Sequence, residues 1–309
     1  MNKDKIKLYQ GHGEYDPTRS TALRNMFASK LRGRLKKLRS VIKESIIDKD
    51  CFGLAPTNQQ EMEKTSSREF DYSLDHEKVS AFIEWLKEQM TSGVIDMSDI
   101  GNSPESAWTS TYILEAYKRG VQRARMELRK AKYDVPDMES TGGIEAALQI
   151  PNHRNRLQSM YHRVLSEMES LVNDFAKQVG RILYDSFSKG HSPSEIYDRI
   201  KSLIDGKKRK ELGLTLLLGS FVDFNRRVDM IGRTEIVRTI NEAAITEYEH
   251  WEVEQLGIMA EWVTAGDRRV CPYCRSMSQK GPYDLSKSSG LLPAHSLCRC
   301  FWLPVEVES

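Results

Sequence analysis

The sequence predicts a mainly α fold, in which long helices pack antiparallel, followed by a small α+β module at the C-terminus. Apolar residues recur at steps of three and four through long segments between residues 18 and 251. Strand-like composition occurs near the end, in 258–263 and 300–307, where the second segment alternates partially and contains a proline. We therefore expect helices over most of the length and one small antiparallel sheet near the C-terminus.

The bulk composition is that of an ordinary globular protein. The chain has 309 residues, enough for two domains, of which 39% are hydrophobic and 29% are charged. The longest apolar run, 214–218, is far shorter than the roughly 20 residues needed to span a bilayer. The first residues, 1–7, are polar and no apolar segment follows them, so we expect a soluble protein made in a reducing compartment.

The first predicted helix, 18–48, is strongly basic. Its apolar stripe consists of Leu23, Phe27, Leu31, Leu35, Leu38 and Ile42. Asp16 and Pro17 suit the entrance of a helix, because one offers a capping side chain and the other a fixed φ. Residues 18–43 contain nine cations and no Asp or Glu; the cations are Arg19, Arg24, Lys30, Arg32, Arg34, Lys36, Lys37, Arg39 and Lys43.

These cations form the best candidate surface for nucleic acid. Nine positive charges along about 36 Å of helix could follow a phosphate backbone and bind double-stranded DNA without sequence preference. Two alternatives remain open, since a basic face is often simply solvated or docks on an acidic protein. Phe27 is the one aromatic residue among the charges and belongs to the apolar stripe, so stacking on single strands is not expected.

Further helices follow from periodicity and from stop signals. The sequence predicts a helix over 79–90, another over 103–132 with Met126 among its inward residues, and a short one at 143–148 within a connector. The longest has inward residues at steps of four and three, and is expected to pack along its whole length against another helix of the same chain; these residues are Leu157, Tyr161, Val164, Met168, Leu171, Phe175 and Ile182. After a stop at 190–193, Ser192 or Ser194 can cap a helix that reaches residue 204.

A basic loop at 206–210 and a final long helix over 214–251 complete the helical part. We divide the chain into an N-terminal helical region (1–135), a linker (136–155), a long-helix region (156–256) and a C-terminal module (257–309).

Four of the five cysteines lie in the C-terminal module. Cys271 and Cys274 are separated by two residues, and His295, Cys298 and Cys300 follow after twenty more. This spacing is typical of a zinc site, since two short clusters of Cys and His can close a tetrahedron around one ion. The alternatives are a disulfide or reduced core cysteines, and Cys51 stands apart from the cluster.

Five candidate ligands compete for four positions. If 298–300 lies on an extended strand, the side chains of Cys298 and Cys300 face opposite ways, which makes it difficult for both to bind one ion. We favour Cys271, Cys274, His295 and Cys298, although a set that includes Cys300 is nearly as good. A site closed by four protein ligands favours a structural zinc over a catalytic one.

Several motifs resemble those of one protein family. They are Arg233-Thr234-Glu235 on a helix, the block from Asp267 through Arg269-Val270-Cys271 to Cys274, and the terminal Cys298-Arg299-Cys300. Over roughly residues 155–307 the chain resembles the C-terminal domain of the phage Mu F-like minor head proteins, also called the phage head morphogenesis family. Residues 15–18, which lead into the basic helix, are similar to the less defined leader region of such proteins.

The resemblance implies a minor capsid protein of a tailed virus, made in the host cytoplasm and located at the portal vertex of the head. Its implied partners are the portal protein, the major capsid or scaffold proteins, and packaged double-stranded DNA, and its implied role is to assist head assembly and genome packaging or delivery. Some relatives carry a toxin or enzyme domain after the zinc segment. We expect none here, since the sequence stops nine residues past Cys300.

The charged residues of the family motifs have two interpretations: they support the zinc module, or they have no specific structural role. Arg233 and Glu235 are two positions apart, so on a helix they point about 200° apart and need separate partners. The resemblance favours one of them bracing the zinc module, through Asp267 or the Cys-Arg-Cys backbone; otherwise both are solvated charges, and Asp267 is only a turn residue.

Catalysis has little support in the sequence. We find no Gly-rich phosphate loop, no His-Glu-x-x-His helix and no Gly-x-Ser-x-Gly elbow. We therefore expect a protein that is not an enzyme. The alternatives are a zinc-stabilised nuclease that uses His295 with a carboxylate such as Asp267, and a cellular zinc-ribbon regulator, for which no recognition helix is evident beside the cysteines.

Overall fold

A computed structural model describes residues 16–53, 76–94, 104–205, 224–252 and 257–306. Within these ranges the protein is mainly helical, with one two-stranded antiparallel sheet, as the sequence predicts. The predicted basic loop, the start of the last helix, Val307 and most of the loop after Cys51 lie outside the described residues. In the described ranges, no helix is both long enough and apolar enough to cross a membrane.

The helices follow the predicted order, except that the short helix after Cys271 was not predicted. They are α1 (Thr21–Lys36), α2 (Leu38–Lys43), α3 (His76–Glu88), α4 (Trp108–Lys130), α5 (Gly143–Gln149), α6 (Pro151–Ser188), α7 (Pro193–Ile204), α8 (Phe224–Glu252) and α9 (Pro272–Lys280). One π-helical turn follows α2 at Glu44–Asp48 and another follows α3 at Gln89–Val94. The strands are β1 (Ile258–Val263) and β2 (Phe301–Glu306).

The basic helix forms as predicted, with a break at Lys37 between α1 and α2. Asp16 precedes α1 and accepts hydrogen bonds from the Thr18 N–H at 3.1 Å and the Ser20 N–H at 3.2 Å. These donors would otherwise lack partners at the start of the helix. All six residues of the predicted apolar stripe are buried.

The predicted start of α7 is also confirmed. Ser192 and Glu195 form a capping box, in which the Glu195 N–H donates to the Ser192 hydroxyl at 3.3 Å and the Ser192 N–H donates to the Glu195 carboxylate at 2.7 Å. Pro193 occupies the first turn, where its missing N–H costs nothing.

The chain divides into two compact units, each discontinuous in sequence. One contains the described residues within Met1–Ala28, Asn102–Val164 and Met230–Ser309, and the other those within Ser29–Gly101 and Leu165–Asp229. Each unit combines stretches that are distant in sequence. The predicted segments, with boundaries at 135, 155 and 256, follow chain order and stay a prediction.

The predicted helix partner of α6 is α8. In the first unit, Arg163 Nε of α6 lies 3.0 Å from Glu235 Oε2 of α8. In the second unit, Arg227 of α8 lies 3.3 Å from Glu167 of α6, and the rings of Phe175 and Phe224 are 4.7 Å apart. All seven predicted inward residues of α6 are buried.

One predicted inward residue of α4 is wrong. Met126 is 38% exposed, whereas the neighbouring positions Arg125 and Glu127 are buried by ion pairs. Here two charged residues with ion-pair partners occupy the inward face of α4 in place of Met126. The periodicity of apolar residues cannot reveal such ion pairs.

A close helix crossing and a buried ion pair hold α4 against α8 within the first unit. A Cβ added to Gly120 would lie 2.6 Å from the Ala243 Cβ, so the two backbones approach closely. Glu247 is fully buried and accepts hydrogen bonds from Arg125 Nε at 2.7 Å and from Trp251 Nε1 at 2.8 Å.

The pKa of Glu247 is lowered. Burial alone would raise it, but His153, whose Nε2 lies 3.0 Å from the carboxylate, and the charge of Arg125 lower it below the ordinary value.

The sheet pairs β1 with β2 in antiparallel register, with Trp262 opposite Trp302 and Val263 opposite Phe301. The two indole rings meet edge to face at a centroid separation of 5.2 Å, and both side chains are buried. The predicted strands are thus confirmed, and the sheet is the base on which the cysteine-rich segment is built.

Candidate metal centre

The first cysteine pair lies at the start of α9. Cys271 has extended backbone angles and caps this helix, because its sulfur accepts the N–H of Cys274 at 3.3 Å. Pro272 occupies the first turn of α9. The Cys-x-x-Cys spacing therefore coincides with a helix N-terminus, which brings the two sulfurs to the same end of α9.

The second cluster meets the first. His295 Nε2 lies 3.2 Å from Cys271 Sγ and 3.4 Å from Cys274 Sγ, and the sulfurs of Cys274 and Cys298 are 3.9 Å apart. Tetrahedral zinc with bonds of about 2.3 Å to sulfur and about 2.0–2.1 Å to nitrogen requires edges of about 3.8 Å and about 3.5 Å. These three separations are close to those edges, and the candidate ligands form two sets that share Cys274: Cys271, Cys274 and His295, and Cys274, Cys298 and Cys300.

Cys300 also reaches this cluster. Cys274, Cys298 and Cys300 are all buried, and their sulfurs lie within 4.8 Å of one another. The predicted conflict between Cys298 and Cys300 assumed an extended strand, but β2 begins only at Phe301, and Leu297 has a positive φ of 64°. The bent backbone before β2 lets both sulfurs approach Cys274, so all five groups remain candidate ligands.

The local electrostatics favour thiolate at two of the cysteines. Burial opposes ionisation of Cys271, but the hydrogen bond from the Cys274 N–H helps to lower its pKa below the ordinary value. The hydrogen bond between Cys274 and Cys298 lowers the pKa of Cys298 and raises that of Cys274. Metal ligands must be deprotonated, so Cys271 and Cys298 are the two cysteines whose surroundings favour the form that binds metal.

Helix α8 fixes the strand that follows the cysteines. The Asn241 side chain donates to the Cys300 carbonyl at 3.1 Å and accepts the Trp302 N–H at 3.1 Å. Tyr248 donates its hydroxyl to the Trp302 carbonyl at 3.1 Å. The outer edge of β2 is therefore satisfied by side chains of α8 at this point.

A second attachment holds the loop before His295. Glu242 of α8 is buried and accepts the Gly290 N–H at 2.7 Å and the Ser289 hydroxyl at 2.9 Å. Arg156 Nη1 of α6 lies 3.1 Å from Glu242 Oε2 and balances the charge of this carboxylate. Sequence reasoning missed Asn241 and Glu242, since a polar residue on a helix gives no sign that its partner lies about fifty residues further on.

Asp267 is bound by two arginines. Both of its oxygens accept hydrogen bonds from Arg299, at 2.6 Å and 2.8 Å, and Arg269 donates from its backbone N–H at 3.0 Å. The hydrogen bonds from Arg299 are the main cause of the strongly lowered pKa of Asp267. The family residue Asp267 thus ties the segment before Cys271 to the middle of Cys298-Arg299-Cys300.

The Arg-Thr-Glu triplet of α8 has three different environments. Glu235 is buried and pairs with Arg163 at 3.0 Å and with Arg238 at 3.7 Å. The contact to the cysteine segment comes from Thr234, whose hydroxyl accepts the Leu297 N–H at 3.4 Å. Arg233 is only partly buried.

The nine predicted DNA- or partner-binding cations divide into two groups. Arg24 pairs with Asp16 at 2.7 Å, and Arg32 and Arg39 form ion pairs with Asp229 and Asp205. Arg34 is half-buried. The exposed members are Arg19, Lys30, Lys36, Lys37 and Lys43.

Comparison with known proteins gives one match. The family described as phage Mu protein F like protein matches residues 177–303, a segment that begins within α6 and contains the whole Cys/His cluster. Neither the curated proteins nor the solved structures give a significant match. The family that the motifs resemble is therefore confirmed over this segment: residues 177–303 are similar to the phage Mu F-like family of phage head morphogenesis proteins.

Proposed function

We propose that this protein is a minor capsid protein of a tailed phage, located at the portal vertex of the head. It is made in the host cytoplasm, contacts the portal protein, capsid or scaffold proteins and double-stranded DNA, and assists head assembly and genome packaging or delivery. The observation that carries the proposal is the match of residues 177–303 to the phage Mu F-like family, with every Cys and His of the cluster present.

Co-purification tests the assembly role. A tagged protein produced during phage infection should co-purify with the portal protein and remain with assembled heads after gradient sedimentation. Cys274→Ser should reduce this association and Cys51→Ser should not, because Cys51 is exposed and lies outside the cluster. Heads that assemble and retain the portal without this protein would refute the proposal.

We further propose that the cluster binds one structural Zn²⁺. Cys271, Cys274, His295 and Cys298 or Cys300 would hold it, and the ion would cross-link the start of α9 to the segment before β2. Such a cross-link supplies free energy of folding where a short segment has little apolar surface to bury. The bound ion would have no open position for a substrate.

Metal analysis of the purified full-length protein tests this proposal. We expect about one equivalent of zinc, retained in Cys51→Ser and lost in Cys274→Ser, and less than about half an equivalent would exclude a structural site. Hydrogen exchange before and after chelation should show protection lost mainly in 257–306, with the long helices retained.

The exposed lysines of α1 and α2 are proposed to contact DNA without sequence preference. Lys36→Gln with Lys37→Gln should lower the slope of log affinity against log salt by about 1.8 for duplex DNA, at about 0.9 per lost phosphate contact. Lys177→Gln on the exposed face of α6 serves as the control. An unchanged slope in the double variant would assign these lysines to solvent or to a protein partner.

We propose that the protein is not an enzyme. The nuclease alternative needs a free histidine and a free carboxylate, but His295 Nε2 faces two sulfurs and both oxygens of Asp267 accept hydrogen bonds from arginine. Plasmid nicking that depends on Mg²⁺ or Mn²⁺ and disappears in His295→Ala would favour the nuclease instead.

A further inference from the structure

Arg233 projects from α8 between two neighbouring elements of the same unit. On one side, a Cβ added to Gly232 would lie 3.1–3.2 Å from atoms of Ala28, so α8 packs closely on α1 at this point. On the other side, the Thr234 hydroxyl accepts the Leu297 N–H at 3.4 Å. Successive helix residues point about 100° apart, so the Arg233 side chain leaves α8 between α1 and the segment that precedes β2.

Two further arginines belong to the elements on either side of it. Arg24 is one helical turn before Ala28 on α1, and Arg299 is two residues after Leu297. Burial is the largest cause of the lowered pKa of Arg24, and its ion pair with Asp16 opposes it. The positive charges of Arg233 and Arg299 lower this pKa further, consistent with three cations close together.

Arg233 differs from its two neighbours because it has no ion-pair partner among the described residues. Arg24 and Arg299 form ion pairs with Asp16 and Asp267. In the part of the chain that the structure describes, Arg233 forms no hydrogen bond or ion pair, and its Nε is buried without an acceptor. The Nε of Arg24 is buried without an acceptor as well. A guanidinium is always charged, and buried donors normally have partners, so an acceptor beyond the described residues is expected here.

We propose that Arg233, flanked by Arg24 and Arg299, is the centre of a phosphate-binding site. The charges favour this ligand: Arg24, Arg233, Arg299 and the Asp267-bound Arg269 face only the two aspartates Asp16 and Asp267, and this excess of two positive charges attracts an anionic phosphate. A tetrahedral phosphate also offers oxygens in several directions, which suits guanidinium groups from different elements.

This site deepens the proposed association with DNA and depends on that association for the source of the phosphate. The phosphate group belongs either to the DNA backbone or to free inorganic phosphate, and both sources present the same oxygens to Arg233. The site is distinct from the lysines of α1 and α2, because Arg233 lies on α8 beside the cysteine segment.

The test uses the full-length protein and three variants. Arg233→Gln removes the charge, and Arg233→Lys keeps the charge but loses the planar fork. Arg154→Gln removes an exposed arginine of α6 and is the matched control. Circular dichroism confirms folding, which we expect in all three variants, since Arg233 forms no internal ion pair that its replacement would break.

The first measurement is the affinity for a fluorescent 20-base-pair duplex at several salt concentrations. We expect Arg233→Gln to weaken binding several-fold and to lower the slope of log affinity against log salt by about 0.9, the value for one lost phosphate contact. Arg233→Lys should bind with intermediate affinity, and Arg154→Gln should bind as the wild type does.

The second measurement is the melting temperature with and without inorganic phosphate at constant ionic strength. We expect phosphate to raise it more in the wild type than in Arg233→Gln. If wild type and Arg233→Gln differ in the stabilisation by phosphate but not in duplex binding, the site binds free phosphate rather than DNA. If the wild type does not bind the duplex, the proposed DNA association fails and the phosphate measurement alone decides on the site. Equal behaviour of Arg233→Gln and wild type in both measurements would overturn the inference.

Discussion

The clamp that Asn241 forms between α8 and the cysteine segment can be tested quantitatively. Asn241 is buried and contacts the Cys300 carbonyl and the Trp302 N–H, each at 3.1 Å. Asn241→Leu keeps a side chain of similar length but leaves both backbone groups without this partner. Each unsatisfied buried group costs about 1–3 kcal/mol, so we expect a loss of about 2–6 kcal/mol in the free energy of unfolding.

Urea unfolding in saturating zinc measures this loss, and Asn173→Leu on the exposed face of α6 is the matched control, expected to change stability by less than about 0.5 kcal/mol. The zinc affinity, from competition with a chromophoric chelator, should fall by about tenfold or more in Asn241→Leu, because groups that orient ligands typically contribute that much. If Asn241→Leu and Asn173→Leu have the same stability and zinc affinity, Asn241 does not hold the cysteine segment.

Two further predictions concern the core that supports this segment. Gly120→Ala places a methyl group 2.6 Å from Ala243 and should destabilise the protein by about 1–3 kcal/mol. Gly33→Ala is the control: its new methyl group would have nothing within 4 Å and should stabilise the protein by about 0.5–1 kcal/mol. Similar effects of the two variants in thermal unfolding would contradict the close crossing of α4 and α8. Glu247→Gln leaves Arg125 buried without its counter-charge and should cost about 3–5 kcal/mol. Because the pKa of Glu247 is lowered in the folded protein, the stabilisation by its carboxylate is fully present above the ordinary pKa of 4.5 and declines as the pH falls through the folded pKa. If the difference in unfolding free energy between wild type and Glu247→Gln stays constant from pH 7 to pH 3, this prediction is wrong.

Much of the fold could be predicted because it is encoded by local periodicity. The steps of three and four that end at Ile182 predict both the extent of α6 and its buried face, since a helix repeats every 3.6 residues. The same rule fails at Met126, where buried charged neighbours occupy the inward face instead. Periodicity identifies the face that is buried, but not the residues that it meets.

The candidate metal centre was predictable in composition but not in geometry. Sequence spacing predicts Cys271, Cys274, His295 and Cys298 as candidate ligands, with Cys300 nearly as good, because two short Cys/His clusters can close around one ion. The position of Cys300 was not predictable, since it depends on where β2 begins.

The sequence by itself determined the mainly helical fold, the order of the elements, the Cys/His cluster and the motifs of the phage Mu F-like family. Local geometry and short spacing carry that information. The tertiary structure alone decided that Asn241 and Glu242 hold the cysteine segment, that Asp267 binds Arg299, and that Arg233 has no acceptor among the described residues. Each of these features depends on where a distant partner lies, and such contacts arise only when the whole chain packs.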